Sequence, residues 1–112
     1  MRSPYFAAAL AATLLGLSAS AQAADMSKDM QHGKERYDRM CAPCHNKGFW
    51  AANRLGERLG DENAVLEDRT DLNTDYIETV VRKGMGSMPP YRKTELSPGD
   101  LDAIAEYLTR KR

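Results

Sequence analysis

Near the end of the chain, Leu101, Ile104, Ala105 and Leu108 recur at i, i+3, i+4 and i+7, the spacing of one helical face, with Tyr107 beside them. Ser97 is placed to cap that helix, Pro98 suits its first position, and Asp100 stands three residues after the cap. Arg110, Lys111 and Arg112 oppose the negative end of its dipole. A second helix is predicted over 74–83, with Tyr76, Ile77, Val80 and Val81 as its buried side, Asn73 or Thr74 as cap and Gly84 just past its end. Towards the amino terminus Met30, Gly33, Tyr37, Met40 and Cys41 share a third helical face, where Gly33 points to the close approach of another backbone. The polar residues 24–29 before it read as frayed. Between 51 and 66 the signal thins to Leu55 with Leu59 and Val65 with Leu66, enough for one or two short turns. No stretch alternates as a strand would, so the fold class is all-α.

The first residues follow a different pattern. Arg2 precedes an uncharged, Ala- and Leu-rich run over 5–18, and Ala21-Gln22-Ala23 puts small residues where a signal peptidase cuts. This reads as a secretory signal peptide, residues 1–23, cleaved after Ala23. The run is shorter than the roughly 20 residues a membrane span needs, and no later segment is apolar enough to be one. Residues 24–112 then form a single domain, in the periplasm if the source is bacterial.

Within that domain, basic residues fall one short of acidic ones. Without a basic excess there is no electrostatic footprint for nucleic acid. Leu, Ile, Val and Phe make up only about 15% of it. So small and apolar-poor a domain needs a staple or a large apolar cofactor to complete its core.

Both cysteines of the chain fall in Cys41-Ala42-Pro43-Cys44-His45. Cys-x-x-Cys-His is the attachment signature of a c-type haem: two thiols three positions apart reach the two vinyl groups of one porphyrin, and the next residue presents an imidazole to the iron. A Cys41–Cys44 disulfide would close too small a loop to gain much. A thioredoxin-like pair lacks its βαβ setting, and a zinc site using His32 would need the adjacent Cys44 and His45 on one tetrahedral ion. The reading is one covalent haem c on Cys41 and Cys44, with His45 as an axial iron ligand.

A second axial ligand is expected in the glycine- and proline-rich stretch 84–91, where Met88 stands directly before Pro89 and Pro90. Met88 is the first choice and Met85 the runner-up. A thioether is a soft, neutral donor that favours ferrous iron. His32, in the first turn of its helix, reads as solvated.

The order of these features resembles class I cytochrome c, over about residues 30–110. That resemblance implies crossed first and last helices, with Gly33 and Tyr37 meeting Tyr107 and Leu108, around one haem buried except for an edge. Many members carry Gly-Pro-x-Leu after the histidine, whose proline carbonyl accepts from the imidazole. Here 48–55 contains no proline, so another backbone carbonyl is expected to orient His45. Trp50, Arg54, Arg58 and Arg69 are candidates to wall the pocket or pair with a haem propionate, or else ordinary surface and core residues. Phe49 and Leu55 read as plain core.

With both axial positions filled, no site is left for oxygen or peroxide, and no other catalytic constellation is present. The expected function is one-electron transfer without catalysis. The alternative is a haem enzyme or gas sensor with an open sixth position. The resemblance extends to the cytochrome subunits of exported flavocytochromes of the p-cresol methylhydroxylase type, which implies a flavoprotein dehydrogenase as partner. A freely diffusing carrier is the competing arrangement.

Overall fold

The computed structural model describes the backbone of residues 15–110 and the side chains of residues 25–110. Arg2 and most of the apolar run over 5–18 lie outside the described residues, as do Lys111 and Arg112. Five α-helices follow in order: α1 (Leu15–Met40), α2 (Ala42–His45), α3 (Trp50–Leu59), α4 (Thr74–Lys83) and α5 (Pro98–Arg110). Two 3-10 turns, Asp61–Asn63 and Leu66–Asp68, separate α3 from α4. Among the described residues there is no strand, only an isolated bridge between Met85 and Met88. The all-α expectation holds.

The packing centres on α1 and α5, with α4 laid against α5. Gly33 sits where the two terminal helices meet: a Cβ there would stand 2.9 Å from the Cβ of Tyr107 and would collide with the main-chain carbonyl of Ala103. Glycine is therefore required by approach, as its place on the helical face implied. The Tyr37 and Tyr107 rings lie beside it, centroids 5.8 Å apart and tilted by 45°. Tyr37, Leu96, Ile104 and Leu108 are the largest fully buried side chains. The Tyr107 hydroxyl donates to the Glu67 carboxylate, tying the second 3-10 turn to the last helix.

Caps form where the sequence placed them. The Ser97 hydroxyl accepts from the Asp100 amide at 3.2 Å, and the Asn73 side chain accepts from the Tyr76 amide at 2.9 Å.

Four expectations change. Residues 24–29 are helical, because a helix once nucleated extends at little cost through good formers such as Ala, Met and Lys. Of the short turns expected between 51 and 66, the one at Leu66 forms as a 3-10 turn, but Leu55 and Leu59 belong to a ten-residue helix, α3, on which only Ala52 is fully buried. Tyr76 is exposed: Ile77 and Val81 at i, i+4 take the core side of α4, and Tyr76 is rotated away from them. Phe49, expected in the core, is 51% exposed.

Candidate haem site

Cys41 follows α1 directly. Its amide donates to the Tyr37 carbonyl at 2.9 Å, and its own carbonyl accepts from Cys44 at 3.1 Å and His45 at 3.0 Å. The five-residue motif is thus one further helical turn, and it sets the two cysteines on neighbouring positions of one face. Both thiols are free, Cys44 exposed and Cys41 half-buried. Burial, and then the Cys44 thiol beside it, pushes the Cys41 thiol up to about 11. That is opposite to the acidic thiols of disulfide oxidoreductases.

His45 is half-buried, and desolvation lowers its pKa, which keeps the imidazole neutral, the form that binds metal. Its Nδ1 is buried and has no hydrogen-bond partner among the described residues. No carbonyl among the described residues reaches it. The segment after the motif winds into a turn and then α3, so the Asn46 carbonyl accepts from Phe49 and the Phe49 carbonyl from Asn53, each at 3.0 Å.

The methionine loop folds back towards the motif. After Gly84 the chain makes a tight turn in which Met85 and Met88 exchange main-chain hydrogen bonds at 3.1 and 2.9 Å. Gly84, at φ 73°, admits no side chain, since a Cβ would stand 2.7 Å from the Met88 carbonyl oxygen and 3.0 Å from the Pro90 nitrogen. Met88 is half-buried and packs against the same core cluster as Met40, Cys41 and Tyr91. Met85 instead lies outside, 45% exposed, with the Tyr76 hydroxyl 3.9 Å from its sulfur. Beyond the prolines, the Tyr91 hydroxyl donates to the Met40 carbonyl at 3.4 Å. Its pKa is raised by desolvation and then by Cys41, Cys44 and Glu95, so the loop's end lies beside the motif.

The remaining candidates divide. Trp50 is 54% exposed at the start of α3. Arg54 pairs with Glu57 at 2.7 Å on the surface. Arg69 is buried, and its guanidinium grips Asp71 through two bonds, at 2.9 and 2.6 Å. Of the three arginines, only Arg58 has no carboxylate partner among the described residues. His32 is not in a first turn, because α1 starts earlier, and its Nε2 lies 2.9 Å from the Asp100 carboxylate on α5.

Sequence reasoning passed over Arg82, whose Nη1 donates to the carbonyls of Tyr91 at 3.2 Å and Leu96 at 2.9 Å. No periodicity or motif marks a side chain that acts on the main chain of a distant loop.

These groups fit a covalently attached porphyrin. Two free thiols stand one turn apart, a neutral imidazole follows them, a half-buried thioether packs on the same core as Cys41, and large apolar side chains next to the motif are exposed. Among the described residues no group of three or more His, Cys, Asp or Glu could hold a bare metal ion.

Comparison with known proteins gives the same direction. Residues 28–108 match the family described as cytochrome c oxidase, cbb3-type, subunit III. The chain is 30% identical over 94 residues to the 4-cresol dehydrogenase (hydroxylating) cytochrome c subunit of Pseudomonas putida, covering 84% of this chain and 73% of that protein. It is 29% identical over 83 residues to cytochrome c6 of Synechocystis sp., covering 74% of this chain and 66% of that protein. The chain thus spans about two thirds to three quarters of these relatives' lengths. No solved structure matches it significantly.

Proposed function

Because this chain belongs to the cytochrome c family, and is an electron-transfer protein carrying covalent haem c, we propose that it is a periplasmic one-electron carrier whose single haem is held by Cys41 and Cys44 and ligated by His45 and Met88. The domain is residues 24–112, released from a signal peptide by cleavage after Ala23. The observation that carries the ligand assignment is the placement of the two methionines: Met88, half-buried, packs against the core cluster that Cys41 also packs against, while Met85 lies outside beside the Tyr76 hydroxyl. No helix among the described residues is long and apolar enough to cross a membrane.

When bound, the haem takes up and releases one electron with no bond made or broken in a substrate. The chain's part is to hold and shield it. The motif turn fixes the two thiols and presents the neutral imidazole of His45. The Met85–Met88 turn presents one sulfur and turns the other outward. With His45 and Met88 both holding the iron, no coordination site would remain for oxygen or peroxide, which would suit a carrier rather than an oxidase.

The partner is a dehydrogenase, of flavoprotein type, that passes electrons to this haem. The dehydrogenase named in the Pseudomonas putida relative supports this reading. A carbon monoxide difference spectrum of the untreated ferrous protein tests the ligation: no change is expected. Immediate binding would favour an enzyme or gas sensor with an open sixth position. Size-exclusion chromatography of the native protein from its source tests the partner. Coelution with a dehydrogenase supports a subunit, and elution as a lone small monomer supports a freely diffusing carrier.

A further inference from the structure

Arg82 is the last-turn arginine of α4, and its charge is not matched by any carboxylate among the described residues. Its Nη1 instead donates at 3.2 Å to the carbonyl of Tyr91 and at 2.9 Å to that of Leu96. Those carbonyls flank the four residues, 92–95, by which the methionine loop returns towards α5, and Leu96 is buried in the core. The Tyr91 amide donates to the Val81 carbonyl at 2.8 Å. Tyr91 is therefore held through both main-chain groups to the end of α4, and through its hydroxyl to Met40, the residue before Cys41.

The loop upstream is stiff. Gly84 closes α4, Met85 and Met88 are locked by reciprocal bonds, and Pro89 and Pro90 fix two further φ angles. Such a segment moves as a unit, so its position depends on how its far end is anchored. A charge-assisted bond from a guanidinium is stronger than one between neutral groups, and this anchor lies only three residues past Met88.

We infer that Arg82 is a positioning residue for the sixth iron ligand: by pinning the Tyr91 and Leu96 carbonyls to α4 it holds the Met88 sulfur against displacement. The inference rests on Met88 being that ligand. Sulfur ligation is then an opening equilibrium, and an added ligand that competes with Met88 binds in proportion to the fraction of protein in which the loop is open.

The experiment titrates the ferric holoprotein with imidazole, following the weak sulfur-to-iron charge-transfer band, with unfolding by heat measured alongside. Arg82→Met keeps an aliphatic stem and removes the donor. It should retain the band and the helical content, yet bind imidazole about tenfold more tightly than the parent, the effect of losing roughly one charge-assisted bond from the closed state. Arg82→Lys should restore most of the difference. Tyr91→Phe, which leaves both carbonyls in Arg82's grip, should bind imidazole much less tightly than Arg82→Met does. Unchanged imidazole affinity in Arg82→Met overturns the proposal, and so does a change that merely tracks loss of thermal stability. If Arg82→Met fails to take up haem, Arg82→Gln, which lacks the charge and the reach of the guanidinium, decides, with affinity identical to the parent counting against. Met88→Ala serves as reference: persistence of the band there refutes the ligand assignment itself, separately from the role of Arg82.

Discussion

Gly33 of α1 faces the main-chain carbonyl of Ala103 on α5, with the carbonyl carbon only 2.9 Å from where a Cβ would stand. No rotamer change relieves that contact, because the obstruction is backbone. Gly33→Ala must therefore push the two helices apart. The holoprotein should lose about 1–3 kcal/mol, the usual cost of overpacking a tight interface, seen as a lower thermal midpoint with the haem spectrum preserved. An unchanged midpoint would mean that the helices have slack at this crossing.

Replacing Met88 with Ala should abolish the sulfur-to-iron band of the oxidised spectrum, admit carbon monoxide to the ferrous protein and lower the reduction potential, since a soft neutral donor to ferrous iron is lost. Met85→Ala should do none of these. The opposite pattern would move the ligand three residues upstream.

Cys41→Ala or Cys44→Ala should leave a protease-sensitive chain of reduced helicity. Phe49 and Trp50 are about half exposed, and the aliphatic core is sparse, so the attached cofactor supplies apolar contact that the side chains do not. Limited proteolysis and circular dichroism check this. A cooperatively folded, fully helical variant without haem would contradict the argument from composition.

Asp100 links α5 to α1 through His32 at 2.9 Å and Arg36 at 3.0 Å. Desolvation alone would raise its carboxyl, but the hydrogen bonds from Ser97 and His32 and the charges of Arg36 and His32 outweigh it, and the group is held below its ordinary value of 3.8. A depressed carboxylate contributes stability in full above its unfolded value and loses it as pH falls through the folded one. Asp100→Asn should therefore unfold more readily than the parent at neutral pH, and the gap should narrow below about pH 4. Denaturant melts at pH 7 and pH 3 measure both. A gap that persists at pH 3 would show that packing, not charge, is at work.

Helices α4 and α5 were legible because they begin at side chains whose bonds are local: Asn73 to Tyr76, Ser97 to Asp100. The motif was legible because its chemistry depends on spacing alone. Helix α3 was not, since it buries only Ala52 fully and shows the solvent Asn53, Arg54, Glu57 and Arg58. A helix so exposed leaves little apolar periodicity to read. The carbonyl expected for His45 is likewise missing among the described residues, and residue type alone gave no way to see that. The grip of Arg82 on Tyr91 and Leu96 joins positions 9 and 14 residues apart, and nothing in residue type foretells it.

The meeting of α1 with α5 also bears on timing. The His32–Asp100 bond spans 68 positions, and α5 is synthesised well after α1. Until it emerges, Gly33 and Tyr37 have nothing to close against, and joining ends so distant carries a loop-closure entropy that local turns avoid. A chain in which α5 has yet to dock on α1 is thus open along the face that carries Gly33 and Tyr37. Docking of α5 on α1 is therefore the long-range step of folding, and the bare backbone at Gly33 sets how closely it can finish.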